Sequence, residues 1–180
     1  LCPQLCTQHH AIQCAASAQS HIHLSVGKGI LGIDGDLCIR IVAVLGEGKL
    51  EGYEGSVPSS LIKYPTNGTK YAEITITAND TVYVIPLYFG DKPATLKRGA
   101  GHYMGSHFPG ESSTVLVSGH NNTFFNCLQW VKPGDVIQLE TNWGTYLYEV
   151  TETAIKKNSD TSAYDLSATE ENLVLYTCYP

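Results

Sequence analysis

The chain has few arginines, no long hydrophobic run and no aromatic residue among its first 52 residues. Arg40 and Arg98 are its only arginines, and the formal net charge is −6 at pH 7. A protein without a basic stripe is poorly suited to a phosphate backbone, which excludes nucleic acid as the main partner. The best apolar run, residues 37–45, contains Arg40 and is shorter than the roughly 18 residues that a membrane-spanning helix needs.

The aromatic residues, 11 tyrosines, four phenylalanines and two tryptophans, all lie from Tyr53 onward. The front of the chain carries cysteine and histidine instead: Cys2, Cys6, Cys14, Cys38, His9, His10, His21 and His23. Their spacing fits no paired zinc-ligand template, so we predict no metal and no cofactor. Disulfides among them would require export, and the sequence leaves their connectivity open. We predict an atypical N-terminal segment or linker over 1–60, or sequence of artificial origin there, and one domain over 61–180.

The predicted domain has β composition, because Thr, Val, Tyr and Ile recur in short runs between turn residues. Residues 71–77 and 81–89 predict one hairpin, and residues 136–140 and 145–153 predict a second. Pro86 indicates an edge or a bend, since proline cannot donate to the ladder. Short helical connections are expected within 95–110 and 124–131.

A thiol stands near the end of the last predicted strand, which reads NLVLYTCYP over 172–180. Side chains alternate across a strand, so Val174, Tyr176 and Cys178 share one face. Free cysteine is among the most buried residue types, and a purely structural Cys178 is therefore one interpretation.

A second strand, residues 113–120, also ends in a chemically active residue, His120, and a polar loop starting at Asn121 follows it. An imidazole and a thiol at two strand ends can meet at one edge of a sheet, where the imidazole moves protons for the sulfur. His120 and Cys178 are 178 − 120 = 58 residues apart, so only the fold can bring them together. Signatures of papain-like peptidases and caspases are absent around Cys178.

Three segments together resemble the motifs of the sortases, the cysteine transpeptidases that join proteins to the Gram-positive cell envelope, and most of all those of class D. They read LVSGH over 116–120, VLYTC over 174–178, and KRGAGHYMGSHFPG over 97–110. The resemblance implies a mainly β fold, a single sortase-type closed β-barrel with short helices in the connections. We predict the following site residues: His120 and Cys178 as catalytic, and Thr177, Ser118 and Asn121 as substrate-binding.

The resemblance also implies a reaction. Such an enzyme cleaves an LPxTG-like sorting signal of a secreted protein through a thioacyl intermediate, and transfers it to an amine of a cell-wall precursor or pilin. It works at the extracytoplasmic face of the cell membrane, so a membrane anchor is expected in the native chain. The alternative is a non-catalytic extracellular β-barrel surface or adhesion module with a structural Cys178.

Two departures from the family pattern stand out. Val174 replaces the usual Thr, and Asn121 and Asn122 stand where many relatives have Arg and Asp. Sortases also carry a catalytic Arg on the strand after the Cys, a position that neither Arg40 nor Arg98 matches. We therefore expect that Arg, and the barrel's final strand, beyond residue 180.

Overall fold

The computed structural model describes residues 38–47, 58–157, 160 and 164–179. This part of the chain forms eight strands, a short α-helix and a short 3-10 helix. In chain order they are β1 (Cys38–Glu47), β2 (Lys70–Ala78), β3 (Thr81–Phe89), α1 (Pro93–Leu96), β4 (Ala100–His102), β5 (Thr114–Ser118), the 3-10 helix (Asn126–Gln129), β6 (Val136–Thr141), β7 (Thr145–Lys157) and β8 (Asn172–Tyr179).

The strands close into a barrel in the order β1-β7-β6-β2-β3-β4-β5-β8, with β8 returning to β1. Two pairs, β3 with β4 and β5 with β8, are parallel, and the other pairs are antiparallel. The prediction of a mainly β, closed barrel with short helices in its connections is confirmed.

The core fills the inside of the barrel because alternate residues of strands such as β2, β6 and β8 are apolar and face inward. Ile74 and Ile76 of β2 meet Leu139 and Ile137 of β6, their direct register partners, and all four are almost completely buried. The same alternation buries Leu173 and Leu175 of β8 in this core.

Both predicted hairpins form, with β2 paired to β3 and β6 paired to β7. Pro86 pairs with Glu73 on one side, and the ladder between β3 and β4 begins only at Leu87, so proline lies just before that paired stretch. Sequence analysis missed β4, because three residues that include a glycine are too short to show a period.

Ten residues of the predicted N-terminal segment belong to the barrel. Cys38–Glu47 forms β1 and pairs with both β7 and β8, which differs from the domain boundary placed at residue 60. This segment contains several β-branched residues, which favour a strand paired on both sides. The absence of aromatic residues did not prevent it from joining the barrel. The other cysteines and histidines of 1–37 lie outside the described residues. A final strand after residue 180 stays a prediction. Across the described ranges, no helix is long and apolar enough to cross a membrane.

Candidate active site

Strand β8 divides its side chains between the barrel interior and the outer face. Leu173 and Leu175 belong to the barrel core, and Thr177 continues that inner row. Tyr176 and Cys178 therefore lie on the outer face. Tyr176 is buried under covering loops, whereas Cys178 is only half-buried. The Cys178 thiol thus lies at the boundary between the buried part of this outer face and solvent.

Strand β5 runs parallel to β8, with Ser118 beside Tyr176. The pairing continues past the end of β5, because the Gly119 N–H donates to the Tyr176 carbonyl at 3.2 Å. Thr177 Oγ1 in turn donates to the Gly119 carbonyl at 2.7 Å. Both polar groups of the Gly119 main chain are therefore held by β8.

His120 and Cys178 both lie just past the last register pair of β5 and β8, which is Ser118 with Tyr176. The two residues follow Ser118 and Tyr176 by two positions each, so they share the outer face. His120 is partly exposed like Cys178, and its carbonyl accepts from the Phe125 N–H at 3.0 Å. The structure thus brings the two predicted catalytic residues to one edge of the barrel.

Gly119 is required by its packing against Phe125. A Cβ at position 119 would lie 2.6 Å from Phe125 Cγ, closer than real Cβ contacts come. Phe125 is 1% exposed and belongs to the barrel core, so its ring has little room to move. The glycine lets the turn after β5 pass tightly over this ring directly before His120.

The thiol of Cys178 is a weaker acid here than in water. Burial raises the pKa of Cys178, opposed by a backbone hydrogen bond that lowers it. Cys127, on the 3-10 helix, is 1% exposed, and burial raises its pKa to about 11. Cys178 is thus the more accessible of these two free cysteines.

The predicted substrate-binding residues take different positions. Thr177 is buried and bonded to Gly119, and Ser118 Oγ, also buried, donates to the Gly101 carbonyl at 3.3 Å. Asn121 lies in the turn after His120 and is partly exposed. Of the three, Asn121 presents the most open side chain beside the candidate catalytic pair. Their contact with substrate stays a prediction.

Strand β1 covers the other edge of β8. Its register places Ile39 opposite Cys178 and Arg40 opposite Thr177. Arg40, which does not match the family's Arg position in the sequence, thus occupies a strand position next to the candidate site. Arg98 lies elsewhere, with its guanidinium carbon 4.3 Å from the centre of the Tyr88 ring. An Arg beyond residue 180 stays a prediction.

A small apolar cluster outside the barrel supports this edge. Its buried members come from α1, β5, β8 and the connection before β8: Leu96, Leu116, Tyr164, Leu166, Val174 and Tyr176. Ser113 Oγ donates to the Ala168 carbonyl at 2.7 Å and Thr114 Oγ1 donates to the Asp165 carbonyl, which holds that connection over β5. The connection before β8 therefore covers part of the outer face of β5 and β8, and this cover ends near Cys178.

Two further ionisable groups, one partly buried and one fully buried, were not predicted as notable from the sequence. Glu171 accepts hydrogen bonds from the Gly110 N–H (3.0 Å), the Ser112 N–H (2.8 Å) and Tyr148 Oη (2.8 Å), and burial raises its pKa. His102 is completely buried on β4. Glu171 lies in the polar connection before β8, and His102 lies in the motif over 97–110. Neither segment has the alternation of apolar residues that would indicate burial. Within the described ranges, no group of three or more His, Cys, Asp or Glu side chains is placed to hold a metal ion.

A closed barrel with histidine and cysteine at the ends of two parallel strands defines a class of candidate cysteine enzyme, and comparison with known proteins identifies the family. The family model described as Sortase domain matches residues 74–180, and the chain belongs to the sortase family. The predictions of family and fold class are thereby confirmed.

Individual relatives agree with the family model. Sortase D of Bacillus subtilis (strain 168) is 35% identical over 96 residues, which cover 53% of this chain and 48% of that protein. The chain thus spans about half the length of this curated relative. Sortase A from Corynebacterium diphtheriae matches with a TM-score of 0.55 at 31% identity, covering 62% of this chain and 54% of that one. A Clostridium perfringens Sortase D5 transpeptidase has the same fold, with a TM-score of 0.60 at 24% identity over 68% of this chain and 78% of that chain.

Proposed function

We propose that the protein is a cysteine transpeptidase that cleaves an LPxTG-like sorting signal and transfers the acyl part to an amine of the cell envelope. The observation that supports this proposal is the parallel register of β5 and β8, which brings the ends of the strands that lead to His120 and carry Cys178 to one edge of the barrel. Membership of the sortase family supports the same chemistry.

In the proposed reaction, Cys178 attacks the carbonyl carbon of the scissile peptide bond. A tetrahedral oxyanion forms and collapses to a thioacyl enzyme as the C–N bond breaks. His120 gives a proton to the leaving amine. An acceptor amine then attacks the thioester, the C–S bond breaks, and the thiol of Cys178 is regenerated. The amine belongs to a cell-wall precursor or pilin, at the extracytoplasmic face of the membrane.

Proton supply follows from the burial of the sulfur. Since burial raises the pKa of Cys178, its resting form at neutral pH is the thiol, and the attacking thiolate must lose its proton to a neighbour. In this proposal His120, two residues beyond the end of β5, takes that proton and returns it to the leaving amine. A cation near the sulfur would favour the thiolate further.

Capture of the acyl group on the intact protein tests this function. Incubation with an LPxTG-like peptide should add the mass of the acyl fragment to the wild-type protein, and peptide mapping should place it on Cys178. The variant C178A should show no adduct, while C127A, which removes a buried thiol, should retain it. Adduct formation by C178A would refute the proposal.

The alternative, a non-catalytic surface module, predicts a different outcome. In that case Cys178 would react with peptide no faster than Cys127, and H120N would change neither rate. A transpeptidase instead requires that H120N lower the rate of acylation of Cys178, because the leaving amine loses its proton donor.

A further inference from the structure

A buried chain of hydrogen bonds runs from β2 through His102 to β5. Tyr71 Oη lies 2.7 Å from His102 Nδ1, and His102 Nε2 lies 2.9 Å from Ser106 Oγ. Ser106 Oγ donates to the Tyr103 carbonyl at 2.9 Å and accepts from the Leu116 N–H at 3.1 Å. The chain therefore joins three strands of the barrel through one imidazole.

Counting the protons of this chain fixes the tautomer of His102. Ser106 has a single O–H, which is used on the Tyr103 carbonyl, so its oxygen can only accept from His102 Nε2. Nε2 must then carry the ring proton of the neutral imidazole. Nδ1 is left as an acceptor, and the Tyr71 hydroxyl donates to it. Every donor and acceptor of the ring is satisfied in this arrangement.

A second ring proton has no place here. Protonating Nδ1 would bring an N–H against the Tyr71 hydroxyl, whose own proton would then point into the core without a partner. The ring is also enclosed by aromatic side chains, with centroid distances of 5.7 Å to Tyr71, 5.5 Å to Phe89 and 4.7 Å to Phe108. The ionisable groups that face it are Tyr71 from β2 and His107 from the connection after β4, and neither supplies a negative charge at neutral pH. Burial lowers the pKa of His102 to about 3, because it outweighs the backbone hydrogen bonds at His107 and Ser106 that act in the opposite direction.

The chain of hydrogen bonds ends at Leu116, which lies on β5, the strand that leads to His120. Leu116 is held twice, by Ser106 Oγ on its N–H and by the Tyr103 N–H on its carbonyl at 2.8 Å. His120 follows Leu116 by four residues and lies two positions beyond the end of β5. The position of β5 relative to β4 therefore sets the point from which the chain leaves the strand towards His120.

We propose that His102 is a positioning residue, locked as the neutral Nε2–H tautomer between Tyr71 and Ser106, which fixes β5 and thereby places His120 against Cys178. The last clause rests on the proposed transpeptidase function. The tautomer itself does not, so the two can fail separately.

Imidazole nitrogen NMR of the intact, isotope-labelled protein tests the tautomer, with H102Q used to assign the His102 signals. At about pH 5, where a free histidine is mostly protonated, His102 should still show one protonated nitrogen at Nε2 and an unprotonated Nδ1. A proton on Nδ1, or a charged ring at this pH, would overturn the proposal. This measurement needs no turnover.

Kinetics test the positioning role. Y71F removes the donor to Nδ1 but keeps the ring, and kcat for acylation of Cys178 should fall on the order of tenfold with KM nearly unchanged, since misplaced catalytic groups cost rate rather than binding. The matched control is Y148F, which also removes a buried tyrosine hydroxyl, near the opposite end of β8 at Glu171. Y148F should lose stability and keep kcat. Equal kcat values for the two variants would refute the positioning role.

Discussion

Replacing Gly119 by alanine should damage both the stability of the barrel and the placement of His120. The new Cβ would stand 2.6 Å from Cγ and 2.7 Å from Cδ2 of Phe125, a ring that is 1% exposed. Neither partner can yield easily, because the Gly119 N–H and carbonyl are both bonded to β8. Overpacking of a filled core costs about 1–3 kcal/mol, and we expect G119A to lose that much.

The measurement is urea unfolding of the wild type, G119A, F125A and the double variant. F125A alone should lose about 3–5 kcal/mol because it empties a core position. If the clash with the ring is the cause, G119A should cost almost nothing when added to F125A, so the double-mutant cycle should show a coupling of about 1–3 kcal/mol in favour of the double variant.

Acylation of Cys178 provides the second readout. In G119A the turn after β5 must shift, and the rate should fall further than in F125A, in which the main chain of Gly119 keeps its contacts with β8. Full additivity of the two unfolding energies, or a G119A protein as stable as the wild type, would refute the packing argument.

Other perturbations test the remaining parts of the site. H120C should form a disulfide with Cys178 on mild oxidation, because neighbouring strands lie about 4.8 Å apart and disulfides need Cα atoms about 4.4–6.8 Å apart; peptide mapping that finds no such bond would contradict the register. Alkylation of Cys178 should rise with pH to a midpoint above the ordinary thiol value of 9.0, and Cys127 should react only near pH 11 or on unfolding. His102 has a folded pKa of about 3, below its unfolded value of 6.5, so its contribution is present above pH 6.5 and is lost as the pH falls towards 3; H102Q should flatten this acid loss, which we put at roughly 5 kcal/mol, in unfolding measured against pH. T177V should cost about 1 kcal/mol of stability through the lost hydrogen bond between β8 and β5.

Much of the fold was predictable because its signals are local. Alternation and turn residues located both hairpins, and two strands ending in His120 and Cys178 located the candidate site. The 3-10 helix Asn126–Gln129 falls inside the predicted helical connection. Each of these features depends on residues that are close in sequence, which is where composition and periodicity carry information.

The features that sequence analysis missed depend on distant pairing. Strand β4 has three residues and is stabilised by β3 and β5 rather than by its own pattern. β1 closes the barrel through registers with β7 and β8, more than a hundred residues later in the chain. The role of His102 becomes visible only when Tyr71 and Ser106 are seen on either side of its ring. Partners of this kind have no signature in a single sequence.

The sequence separation of His120 and Cys178 has a structural reason. Two parallel strands cannot be joined by a tight turn and need a long crossover, which here consists of the 3-10 helix, β6, β7 and the connection before β8. Parallel strands also end at the same edge, so residues near the ends of the two strands, such as His120 just beyond β5 and Cys178 near the end of β8, lie at one edge without a special loop. An antiparallel pair would have sent the imidazole and the thiol to opposite ends of the barrel. The parallel pairing of β5 with β8 is therefore the single topological choice on which the proposed chemistry depends.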